Sequence, residues 1–145
     1  MDASEMQRYI CGTFDGVNAL EGNGDTFFVY DPDRDLPPER QQPFATIVTG
    51  DHYDSVSNLD RPGAYRLNIG LTKESFAARF GSAPDGGYDY AAVDTLVPHP
   101  TYGPQHWVSV VNPGPATLAT VREYLAEAHG FAARKHANHA ARRAH

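Results

Sequence analysis

A single cysteine in 145 residues excludes an internal disulfide and any site built on several thiolates. Cys11 lies in a helical stretch between Ile10 and Gly12 and reads as inert core. Apolar runs are just as scarce, far below the ~20 residues of a membrane helix, so no span is expected. The opening MDASEMQRYI is acidic where a secretory leader is basic and lacks an apolar centre, which makes the cytoplasm the expected compartment. Also missing are a Gly-Lys-Ser/Thr phosphate loop, a Rossmann glycine fingerprint, a Gly-x-Ser-x-Gly elbow and a local Cys/His nucleophile signature. No reaction is written in the sequence.

Positive charge is short too. The formal net charge is −6, and it is unevenly placed. After Ala126 the basic Arg134, Lys135, Arg142 and Arg143 face Glu127 alone, leaving the rest of the chain at −9. Such a body repels phosphate backbones, so nucleic acid is disfavoured, and a solvated helix end explains the basic tail as well.

What is present fits one domain with a real core: 41% apolar residues, with seven Phe and eight Tyr. Ser4 to Gln7 fits a capping box for a first helix carrying Met6, Tyr9, Ile10 and Phe14 on one face. Strands at 17–21 and 26–30 flank Asn23-Gly24, a hairpin signal. Residues 31–43 read as an exposed loop, and 44–49 as a β-branched strand. Arg61-Pro62-Gly63-Ala64 matches a type II turn, and it feeds a segment alternating Tyr65, Leu67 and Ile69 against Arg66 and Asn68. Thr72 caps a helix with Leu71 and Phe76 as staple and Phe76, Ala77 and Phe80 as buried stripe, ending at Gly81; 82–90 is a loop. A strand over 106–111 follows, stopped by Asn112-Pro113-Gly114. Pro115 then opens a long helix with Leu118, Val121, Leu125, Ala128 and Ala132 on one stripe, frayed beyond about Asn138. The expected fold is α+β: one domain over 1–145, a mostly antiparallel sheet packed by an N-terminal and a long C-terminal helix.

Within this pattern, Tyr102 to Asn138 resembles the C-terminal half of the MmcQ/YjbR-like family: His106-Trp107, the turn Asn112 to Pro115, and a helix with a basic end. Segments such as Phe44 to Thr49, Ser57 to Gly63, Arg66-Leu67-Asn68 and Pro98-His99-Pro100 are similar to a group of actinobacterial proteins of unknown function. The first resemblance implies the same compact α+β fold and a double-wing surface for DNA. The second implies no activity.

The richest polar constellation is His52, Asp54, Arg61, Arg66 and Asn68, with His99, Tyr102, His106 and Trp107 later. Should the strand at 65–69 pair beside that at 106–111, these groups line one mouth of the sheet. Aromatic walls with a few fixed donors are what a small-molecule site needs. Arg66 and Asn68 share a face, so a carboxylate or phosphate can meet both; alternatively Arg66 pairs with a neighbouring carboxylate and Asn68 caps a turn. Trp107 reads first as the largest core residue of its strand, packed against the terminal helix. His52, Asp54, His99 and His106 match no metal signature, so no metal or cofactor is expected. His136 and His139 share a solvated helix face. The reading is a non-catalytic binding domain for a small molecule or protein partner, its ligand set Arg66, Asn68, His99, Tyr102, His106, Trp107 and His52. The alternatives are a nucleic-acid binder through the basic helix end and a small enzyme, metal-assisted or not, using His52, His99 and His106.

Overall fold

The first helix begins on an aspartate. In the computed structural model, which describes residues 1–81 and 87–143, α1 (Ala3–Thr13) is capped by Asp2 and not by Ser4. The Asp2 carboxylate accepts from the Glu5 N–H at 2.8 Å, and Glu5 Oε1 accepts from the Asp2 N–H at 3.0 Å. Glu5 reaches back where Gln7 was expected, because it stands three residues after the cap. Met6 and Ile10 are fully buried, whereas Cys11 is exposed and not core.

β1 (Val17–Gly22) and β2 (Asp25–Tyr30) form the expected hairpin, Asn23 (φ 56°) and Gly24 (φ 83°) supplying the two positive angles of its turn. The segment after β2 is more ordered than a bare loop. Asp31 is buried and its carboxylate accepts from the Asp35 and Leu36 N–H groups, and a short 3-10 turn covers Pro38–Arg40. β3 (Pro43–Val48), β4 (Arg66–Gly70), β5 (Val97–Pro98) and β6 (Trp107–Val111) complete a six-stranded sheet of order β1-β2-β3-β4-β6-β5. Each neighbouring pair is antiparallel. Gly63 (φ 74°) and the Ala64 N–H to Arg61 carbonyl bond make the tight turn that leads into β4.

All three helices pack on one side of this sheet. Tyr65, Leu67 and Ile69 meet Val108 and Val110 there, together with Phe28, Ala45 and Ile47 and the helix residues Met6, Ile10, Phe76, Val121, Leu125 and Ala128. Each large apolar side chain so buried contributes about 1.5–3 kcal/mol. α2 (Lys73–Phe80) is capped by Thr72 and closed by Gly81, with Leu71 and Phe76 both buried. Ala77 is exposed, so its stripe reduces to Phe76 and Phe80. Pro84 and Gly86 of the 82–90 loop lie outside the described residues.

β6 begins at Trp107, not His106, whose backbone is left-handed (φ 72°) and ends a 3-10 turn over Gly103–Gln105. Pro115 lies in a turn ahead of α3 (Leu118–Arg143). That turn is held by Asp94, whose carboxylate accepts from the Gly114, Ala116 and Thr117 N–H groups and from Thr117 Oγ1. α3 then runs unbroken past Asn138 to Arg143. His136, expected to be solvated, sets its ring edge against Tyr30 at 5.3 Å. Trp107 does not belong to the helix-side core. It is partly buried and seated over Gly70, where a Cβ would lie 3.1 Å from the indole.

Candidate functional site

On the side of the sheet away from the helices, register brings Phe27, Thr46, Asn68 and Ser109 side by side on β2, β3, β4 and β6. Asn68 Nδ2 donates to Thr46 Oγ1 at 3.0 Å, and Ser109 Oγ donates to Asn68 Oδ1 at 2.6 Å. Asn68 is 2% exposed. It neither caps a turn nor faces solvent: it is the middle of a three-strand polar row, held in one orientation by both neighbours.

One pair of residues along β4, Arg66 is equally buried and its fork is engaged. Nη1 and Nη2 donate to the two Asp54 oxygens at 3.1 and 3.0 Å, and Nη1 donates also to Ser57 Oγ at 2.9 Å. Nε is buried with no partner among the described residues. Burial works to raise the Asp54 carboxyl, but the Arg66 guanidinium outweighs it and holds the group below the ordinary carboxylate range. Arg66 thus pairs with a neighbouring carboxylate, one of the two readings its sequence position allows, and is neutralised inside the protein with only Nε left unpartnered.

His99 completes the chamber from the loop after β5. Its N–H donates to the Trp107 carbonyl at 2.9 Å, fixing the residue at the sheet edge. Pro100 has no N–H, so the next two, of Thr101 and Tyr102, both donate to His99 Nδ1 at 3.0 Å. An Nδ1 that accepts twice carries no proton, which places the proton of the neutral ring on Nε2. Burial first, and the Arg66 charge second, push the pKa down to about 4. His99 at neutral pH is therefore an uncharged donor whose Nε2–H has no protein acceptor among the described residues.

These groups line a cavity of about 610 Å³, with Phe27, Thr46, Asn68 and Trp107 as floor and Tyr53, His99 and Tyr102 as walls. Its size lies in the range of small-molecule sites. Arg66, Asn68, His99, Tyr102 and Trp107 are brought together here, as the pairing of β4 with β6 requires. His52 and His106 are not. His52 Nε2 sits 2.5 Å from Asp25 Oδ2, a fully buried carboxylate that also accepts from the Thr49 N–H, so this histidine fastens the hairpin end. His106 gives its carbonyl to the Leu71 N–H and sets its ring against Phe76. Arg61 is spent on the Ser57, Asn58 and Ala91 carbonyls.

Thr46, Ser109 and Ser57 escaped the sequence reading. Thr46 and Ser109 do sit at alternating positions in apolar strands, but only the register shows that they meet Asn68. Among the described residues no group of three His, Cys, Asp or Glu side chains is placed to hold a metal ion, and no helix is long and apolar enough to cross a membrane.

No curated protein and no solved structure matches the chain. A family does, over residues 1–141, and the match carries no link to the MmcQ/YjbR-like family or to actinobacteria. The chain belongs to DUF6194, a family of unknown function.

Proposed function

We propose that this protein is a non-catalytic binding domain for a small, flat, uncharged organic ligand rich in hydrogen-bond acceptors. The observation that carries the reading is the fixed tautomer of His99 beside a fixed Asn68 in a cavity walled by aromatic rings. Preset donors recognise a carbonyl or ring nitrogen without reorganising, and Trp107, Tyr53 and Tyr102 offer faces and edges to a planar body. The internal Arg66–Asp54 pair leaves no net charge for the ligand to balance. A histidine with Nδ1 occupied and Nε2 protonated lacks a free lone pair, which supports a donor role over that of a general base.

The alternative that the MmcQ/YjbR resemblance implies, DNA binding through the basic end of α3, has weaker support. The four cations of the tail stand against one acid there, but the remainder of the chain is strongly acidic and repels a phosphate backbone.

Trp107 is the only tryptophan, so its emission reports on the cavity directly. A panel of nucleobases, nucleosides and pterins titrated against the intact protein should yield compounds that saturably change this emission. Asn68→Ala should weaken those compounds at least about tenfold, the worth of a single hydrogen bond at a buried site. A panel without saturable change, or hits indifferent to Asn68→Ala, would remove the proposal.

A further inference from the structure

A second cavity, of about 370 Å³, opens on the other side of Trp107, between α3 and the segment that precedes β3. Its apolar surface comes from Phe44, Leu71, Ala128 and Ala132. Two cations stand at it, Arg40 and Lys135, against the one acid Glu39. Neither cation is in a salt bridge: the two found among the described residues are His52–Asp25 and Arg66–Asp54. The Arg40 side chain makes no hydrogen bond there either, and Lys135 Nζ lies only over the Phe131 ring, 4.7 Å from its centroid. Both carriers are held in place. Arg40 closes the 3-10 turn through its N–H to the Pro37 carbonyl, and Gln41 Nε2 bonds the Leu36 carbonyl. Lys135 sits in the same helix as His136, which is packed on Tyr30.

An apolar trough with two unpaired cations at its rim is complementary to a molecule with the opposite pairing, a hydrocarbon body and one anionic head. We infer that this groove is a second site, which shares Gln42, Pro43, Gln105 and Trp107 with the Asn68 chamber but not its polar row, and that it takes a small amphiphilic anion such as a medium-chain carboxylate. The carboxylate meets Arg40 and Lys135, while the chain lies on Leu71, Ala128 and Ala132. Its contribution weakens with salt, because the cations are reachable by solvent.

Decanoate and decyltrimethylammonium, below their micellar concentrations, are the probes, and calorimetry on the whole chain is the readout. Decanoate should bind at one equivalent and the cationic amphiphile should not. The pair Arg40→Gln and Lys135→Gln should lower decanoate affinity about tenfold or more, whereas Tyr102→Ala, at the rim of the other chamber, should leave it unchanged. These side chains lie outside the core, so the variants fold. Equal binding of both amphiphiles, absence of saturable decanoate binding, or loss with Tyr102→Ala in place of the Arg40/Lys135 pair overturns the assignment.

Discussion

His99 turns burial into a measurable pH dependence. Its folded pKa of about 4 lies below the 6.5 of a free imidazole, so between those values the unfolded chain binds a proton that the folded protein refuses. Stability from this group is complete above about pH 6.5 and is lost as pH falls toward 4, on the order of 3 kcal/mol in all. Urea unfolding across pH 4 to 7 should show that acid limb, and His99→Gln should flatten it; an unchanged limb would place the titration elsewhere. The Arg66–Asp54 pair makes a second prediction. Asp54→Ala leaves a guanidinium buried without its counter-charge and should cost about 3 kcal/mol or more in the same assay, while Arg66→Met with Asp54→Leu should recover most of it. Alternation in the sequence shows Arg66 and Asn68 on one face. The carboxylate partner of Arg66 is within reach of that reading, since Asp54 stands in the same polar stretch, but Thr46 and Ser109 are brought to Asn68 by sheet pairing that no local pattern encodes.

Most element ends set by nearest neighbours are legible in the sequence, the cap of α1 excepted, where Asp2 and Glu5 take the places expected for Ser4 and Gln7. Asn23-Gly24, Arg61 to Ala64, and Thr72 with Gly81 each carry their own turn or cap chemistry, and each stands where expected. The turn that leads into α3 is not legible locally, since the carboxylate that holds it, Asp94, comes from twenty or more residues upstream. Asp94→Ala should therefore destabilise the protein by about 1–2 kcal/mol or more, the scale of a lost carboxylate that accepts several hydrogen bonds, in thermal or urea unfolding. His106 misled for a related reason: its left-handed backbone ends a turn, so the strand starts a residue later and the ring faces Phe76 instead of the chamber. The Gly70–Trp107 pair tests the seating of the indole. Gly70→Val puts atoms within 3.1 Å of the ring or closer, and should shift Trp107 emission to the red as the side chain is displaced; an unmoved spectrum would contradict the packing described.

For the molecule as a whole, one sheet divides the work. The helix side holds the core, and the opposite side, with its polar row and aromatic walls, supplies the proposed site. Composition and periodicity make the first legible, through the stripe of α3 and the alternation of β4, whereas the second depends on two loops folding back over the sheet. Net charge acts at this scale too: with −6 overall, a mobility-shift assay at about 150 mM salt should show no duplex DNA retained, and binding that persists there would revive the basic-tail reading. In the proposed site His99 presents a neutral Nε2–H to a ligand beside Asn68. Nitrogen-15 NMR of the histidine rings at pH 7, with and without a compound that perturbs Trp107, tests it most directly. His99 should show the Nε2–H tautomer in the free protein and a displaced Nε2 resonance on binding; a protonated ring, the Nδ1–H tautomer, or a resonance that does not respond would rule this site out.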